Sequence, residues 1–115
     1  VSELAEQVEA AQQDVQAEGL IAPMCGHVGD GNFHLCFMVD PTDAAEMARV
    51  KAVYARMIRR ALAVGGTCTG EHGIGHGKVD FLQEEAGAAF GVMQAVRAAR
   101  DPLGIMNPGK VTGFL

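Results

Sequence analysis

Three glycine clusters constrain this chain more than any other feature. Fifteen of its 115 residues are glycine, and most gather at 26–31, 65–77 and 104–113. Glycine weakens helix and strand interiors and tolerates the left-handed backbone that tight loops need. Regular elements are therefore expected between the clusters and compact loops at them. All four histidines, His27, His34, His72 and His76, lie in or beside the first two clusters. The polar groups with chemical capacity thus sit on loops, and the helices form their frame.

Between the clusters the apolar periodicity is clear. Val1, Leu4, Val8, Ala11 and Val15 recur at three- and four-residue steps, which predicts a helix over 1–18 that stops at Gly19. Leu20 to Cys25 and Phe33 to Val39 read as two strands, with Phe33, Leu35, Phe37 and Val39 on one face. Asp43 is placed to cap a helix over 43–64, with Glu46 three residues on. The methionines of that helix fall at core spacing. Thr67 to Thr69 reads as a short strand, and 78–100 as helix in two pieces broken near Gly87. Asp101-Pro102 closes the helical run. This order predicts an α+β fold, a ferredoxin-like sandwich in which a small antiparallel sheet carries helices on one face. A single domain over 1–115 is expected at this length.

Composition narrows the function classes. About half the residues are apolar and a fifth charged, which is a globular balance. A net charge of −5 without any basic run argues against nucleic acid as a partner. No apolar stretch approaches the length of a transmembrane helix, and no signal-peptide pattern opens the chain. The first residue is Val1, which makes a fragment or a trimmed piece the expectation. Three cysteines without tight spacing do not form a secreted disulfide framework, so reduced thiols and a cytoplasmic setting are expected, with peripheral membrane association as a variant.

The first glycine cluster lies between the two strands, in GHVGDGNFH at 26–34. Folding the hairpin on Asp30-Gly31, a favoured two-residue turn pair, sets Val28 opposite Phe33 and His27 opposite His34. Directly opposed residues have Cβ atoms about 5 Å apart on one face, a spacing that suits two imidazoles on one metal at about 2.1 Å. A wider loop would change the register and still allow the histidines to converge. The plain alternative is a polar hairpin tip that holds nothing. The same register pairs Cys25 with Cys36. A disulfide, two soft ligands and, more simply, two small buried apolar residues are the three readings of that pair. Asp30 reads as a turn residue.

Two histidines need a third ligand, and TGEHGIGHGK at 69–78 supplies candidates. Adjacent residues diverge on extended backbone, so Glu71 and His72 are expected to divide their work as one ligand and one acid–base group. His27, His34 and Glu71 make a two-histidine, one-carboxylate set, which suits Zn²⁺, Fe²⁺ or Mn²⁺ and leaves open positions. An open position serves catalysis or substrate binding. His72 is then the candidate general base, since imidazole titrates near neutral pH. His76 is expected to be exposed and without a role. Lys78 is either solvated or in contact with an anion, and Cys68 is expected to be buried and inert.

Three blocks in order, GHVGDGNFH, TCTGEHGIGHGK and DPLGIMNPGKV, resemble the C-terminal end of the FAD-linked oxidase family through roughly residues 19 to 111. The closest branch in pattern is the cytochrome-linked D-lactate dehydrogenase type, with glycolate oxidases and D-2-hydroxyglutarate dehydrogenases as relatives. The resemblance implies oxidation of a D-2-hydroxy acid to the 2-oxo acid with hydride passed to FAD, and electrons passed on to a downstream acceptor. It implies that His27, His34 and Glu71 are divalent-metal ligands that hold the substrate's hydroxyl and carboxylate. It implies that His72 is the base and that Asn107, in the NPGK element, approaches the cofactor. The logic matches the residue-level reading: a metal acidifies the alcohol, an imidazole takes the proton and a cofactor accepts the hydride.

Two departures qualify the resemblance. The family's FAD-binding domain lies upstream, and no dinucleotide fingerprint occurs here, so the chain reads as the distal part of the substrate-binding lobe and as inactive alone. The hydroxyglutarate branch has asparagine two residues after the second histidine, where this chain has Cys36, which favours a smaller acid such as lactate or glycolate. Surfaces meant for missing lobes should be apolar, so a homodimer is expected for the isolated piece. The competing readings are a metal-binding module without redox activity and an interaction or oligomerisation domain whose loops hold nothing.

Overall fold

A computed structural model describes residues 1–113. The chain forms two compact units, Val1–Gly66 and Thr67–Leu115. Helices α1 (Leu4–Ala17) and α2 (Ala44–Ala63) and strands β1 (Met24–His27) and β2 (Asn32–Leu35) belong to the first, and helices α3 (Val79–Ala86) and α4 (Ala89–Arg100) to the second. Helices beside a small antiparallel sheet make this an α+β fold, as the order of elements predicts. No helix among the described residues is long and apolar enough to cross a membrane.

In the first unit β1 and β2 pair antiparallel, Met24 with Leu35, Cys25 with His34, Gly26 with Phe33 and His27 with Asn32. Two further bonds, Cys36 N–H to Pro23 O and Met38 N–H to Ile21 O, both 2.9 Å, prolong the ladder towards Leu20. The inner face presents Ala22, Leu35 and Phe37 to Val15 of α1, to Val50 and Val53 of α2 and to Leu20. Helices thus cover one face of the sheet. Cys25, His27, His34 and Cys36 alternate onto the other face.

The expected register is displaced by two residues. His27 stands opposite Asn32, and His34 opposite Cys25. The cause is the loop. Val28–Asp30 forms a single helical turn closed by Gly31 at φ 70°, with Gly31 N–H donating to Val28 O at 3.1 Å. Only Gly31 takes positive φ there, whereas a two-residue turn on Asp30-Gly31 needs it at both positions. A shift of two keeps every side chain on its predicted face, because the strand period is two.

The capping prediction for α2 holds: Asp43 Oδ1 accepts from Ala45 N–H at 2.9 Å and Glu46 N–H at 3.1 Å. Glu46 reaches back to Asp40 N–H at 2.7 Å, and Asp40 accepts from both the backbone and the hydroxyl of Thr42. Those two bonds hold the Asp40 carboxyl below its usual range, the hydroxyl bond contributing most. Asp14 of α1 and Glu18, just past its end, meet Arg56 of α2 at 3.0 and 2.9 Å, and Arg60 also reaches Asp14.

In the second unit α3 and α4 are separated at Gly87, whose φ of 52° stops the helix where glycine predicted. The strand expected at Thr67–Thr69 is not formed. Cys68 N–H donates to the Glu85 carboxylate at 2.8 Å, and the Thr67 hydroxyl to Thr69 O at 2.7 Å, so side chains bond the backbone where a neighbouring strand would.

Candidate functional site

The hairpin's outer face is exposed. Cys25, His27 and Cys36 are solvent-accessible and His34 is half-buried. Residues diagonal across an antiparallel pair lie about 7–8 Å apart, still within reach of long or aromatic side chains. His27 and His34 hold that relation, so both imidazoles project from one face, one step offset from the opposed pair expected. Cys36 is a free thiol opposite Pro23, so the Cys25–Cys36 disulfide is not formed. The expectation that these cysteines are buried fails too: they share the solvent face with the histidines. Asp30 ends the helical turn, as expected of a turn residue.

In the second unit Glu71 and His72 occupy a turn in which Gly73 N–H donates to Gly70 O at 3.2 Å. The divergence expected of neighbours on extended backbone is therefore absent: His72 Nε2 lies 3.7 Å from Glu71 Oε1. Both side chains are open to solvent, His72 by 66% and Glu71 by 43%. Gly73, at φ 71°, lets the chain leave the turn in a left-handed conformation. Imidazole nitrogen and carboxylate oxygen are suitable donors for a borderline divalent cation. Each unit presents donors of that kind on a solvent-facing surface, so the residue types fit such an ion.

The flanking residues are more engaged than their types suggested. Lys78 is half-buried and its Nζ donates to Thr69 Oγ1 at 3.1 Å, so its ammonium is engaged within the loop. His76 is exposed, yet its Nδ1 lies 3.0 Å from Gly109 O, and Val111 N–H donates to Gly75 O at 2.8 Å. These bonds tie the GIGHG loop to the C-terminal NPGKV segment. Cys68 is buried at 4% exposure, and that burial, reinforced by Glu85, pushes its thiol up to about 11. A thiol so raised is a poor nucleophile, as expected.

Arg97, near the end of α4, went unnoticed in the sequence and organises residues 106–113. Its Nη1 donates to the carbonyls of Lys110 and Gly113 at 2.8 and 2.7 Å and to Thr112 Oγ1 at 3.2 Å. Its Nη2 donates to the carbonyls of Met106 and Asn107 at 3.3 and 3.0 Å. Asp101, only 6% exposed, accepts from Ile105 and Met106 N–H at 3.0 and 2.9 Å. Together they hold a segment in which Asn107 and Val111 both adopt positive φ, 45° and 62°. A β-branched residue there is strained. The available signal was an arginine in a helix's last turn ahead of a Pro/Gly-rich stretch, since such cations bind nearby carbonyls. Asn107 and Lys110 lie on an open groove of about 470 Å³ whose wall is Val92, Met93, Val96, Met106 and Val111.

Residues 1–111 match the family described as FAD linked oxidases, C-terminal domain. A Danio rerio protein named "Probable D-lactate dehydrogenase, mitochondrial" is 47% identical over 96% of this chain and 22% of its own length. A mitochondrial D-lactate dehydrogenase [cytochrome] of Arabidopsis thaliana is 39% identical over 96% of the chain and 20% of its own length. The glycolate oxidase subunit GlcD of Bacillus subtilis (strain 168) is 37% identical over 96% of the chain and 24% of its own length. The chain thus spans about a fifth to a quarter of these relatives. With the family match running over nearly all of it, the chain belongs to the FAD linked oxidases, C-terminal domain family.

Proposed function

We propose that this chain is the C-terminal portion of a flavin- and divalent-metal-dependent dehydrogenase that oxidises a small D-2-hydroxy acid, lactate- or glycolate-like, to the 2-oxo acid. The observation that carries the reading is the family match together with relatives named for D-lactate and glycolate oxidation. The site residues are His27, His34 and Glu71 as metal ligands and His72 as base, with Asn107 directed to the cofactor. Support comes from the shared sheet face of the two histidines and from the 3.7 Å approach of Glu71 and His72.

A bound divalent ion would supply Lewis acidity that favours loss of the substrate's hydroxyl proton, and FAD would supply the hydride acceptor. His27, His34 and Glu71 would hold that ion where the hydroxyl and carboxylate of the acid could reach its open positions. His72 takes the hydroxyl proton on an imidazole nitrogen. As that proton leaves, the α-carbon releases its hydride and the C–O bond becomes a carbonyl. Cys36, on the face of His34, leaves a small and weakly polar lining, which supports a short acid. The apolar wall beside Asn107 fits an aromatic ring system with a polar edge.

The reading includes a homodimer, supported by a two-stranded sheet in which each strand has one edge outside the pairing. It also keeps a cytoplasmic placement, to be tested by fractionation. The deciding experiment measures metal and flavin content of the full-length protein and its turnover of D-lactate, glycolate and D-2-hydroxyglutarate. Turnover of none of these acids by a flavin- and metal-loaded preparation would refute the reading.

A further inference from the structure

The turn that carries Glu71 and His72 is closed by side chains as well as by its own backbone. The Thr69 hydroxyl donates to Gly73 O at 2.6 Å, across the base of the turn. A hydroxyl has one proton, so after this bond only its lone pairs remain. One of them accepts from Lys78 Nζ at 3.1 Å. Lys78 is the N-terminal flank of α3, so a helix end is linked through two bonds to the turn. The approach to Thr69 is held as well, by Thr67 Oγ1 on Thr69 O and by Glu85 on Cys68 N–H.

The geometry points to Thr69 and Lys78 as positioning residues for Glu71 and His72, a role that rests on the reading of that pair as ligand and base. Neighbouring side chains diverge on extended backbone, and these two meet because the backbone turns between Gly70 and Gly73. The hydroxyl bond sets how tightly that turn closes, and the ammonium fixes the hydroxyl's direction. Without the relay the Gly-flanked turn loses two of the bonds that brace it, and glycine itself opposes opening little. Glu71 then loses its orientation towards an ion, and His72 its orientation towards the proton it removes. Partners that orient metal ligands typically contribute 10–100-fold in affinity or activity.

The test uses the full-length flavoprotein that contains this chain, stripped of metal and titrated calorimetrically with Mn²⁺ alone. Thr69→Val removes the hydroxyl at constant shape, and Lys78→Met removes the ammonium. Each is expected to weaken Mn²⁺ binding by about tenfold or more and to lower kcat more than it raises KM. Thr69→Ser and Lys78→Arg, which keep the donor, are expected to recover most of the affinity, with flavin content unchanged throughout. If Glu71→Gln loses Mn²⁺ binding while Thr69→Val and Lys78→Met bind as the parent does, the relay is refuted and the ligand reading stands. If Glu71→Gln binds Mn²⁺ unchanged, both fall. Should Thr69→Val fail to fold, Lys78→Met and its arginine counterpart decide the question.

Discussion

His34 faces Cys25 across the hairpin, and His27 is its diagonal neighbour on the same sheet face. The offset keeps both side chains on the solvent-facing side of the sheet, one on each strand. Both histidines should therefore contribute to metal binding, and neither should replace the other. Oriented partners alone contribute 10–100-fold, so removal of a direct ligand should cost about 100-fold or more. His27→Ala and His34→Ala are each expected to lose Mn²⁺ binding in calorimetry of the full-length protein. Cys36→Ala, on the same face, is expected to retain it. Unchanged binding in either histidine variant would remove that residue from the ligand set.

Gly26 is expected to be irreplaceable in the hairpin. A Cβ built there would lie 2.3 Å from Asn32 O and 2.5 Å from Phe33 Cα, both backbone atoms of the paired strand. Neither can move without breaking the ladder that carries the histidines. Gly26→Ala should destabilise the protein by about 2 kcal/mol or more, as overpacking does. Gly29→Ala meets nothing within 4 Å and has ordinary φ, so it should be tolerated. Thermal unfolding followed by circular dichroism compares the two.

These glycines also show which parts of the fold were legible in the sequence. The Asp43 cap, the break at Gly87 and the inward set Leu35 and Phe37 depend on local chemistry or on a period of two, and all are present. The register depended on backbone angles at Asp30, which the Asp-Gly pair alone does not determine. The approach of Glu71 to His72 depended on a turn where an extended path was assumed. Arg97 was invisible for a different reason. Its five acceptors, four of them backbone carbonyls, lie 9 to 16 positions away, and carbonyls have no sequence signature.

Arg97 should accordingly prove a stability residue. Replacing it leaves several carbonyls of the 106–113 segment without their donor, and a bond from a charged group contributes about 1.5–3 kcal/mol. Arg97 is half-buried, so solvent recovers part of that loss. Arg97→Ala is expected to cost about 2 kcal/mol in denaturant unfolding, with accelerated proteolysis of the C-terminal segment. Arg97→Lys should recover little, because an ammonium cannot span carbonyls on both sides as the planar fork does. A lysine variant as stable as the parent would contradict the five-bond geometry.

Cys68 gives the protein a pH-dependent stability in the alkaline range. Its thiol is pushed from 9.0 up to about 11, chiefly by burial, so the folded state retains a proton that the unfolded chain loses first. The folded state therefore binds more protons between these values, and stability falls as pH rises. The contribution is fully present below about pH 9 and is lost as pH climbs through about 11. Two pKa units correspond to roughly 2–3 kcal/mol at most. Denaturant unfolding of the parent between pH 8 and 11 is expected to fall more steeply than that of Cys68→Ala, which lacks the group. At pH 8 an alkylating reagent should modify exposed Cys36 rapidly and Cys68 only after unfolding. Equal alkylation of the two thiols in the native protein would show that Cys68 is not sealed in the second unit.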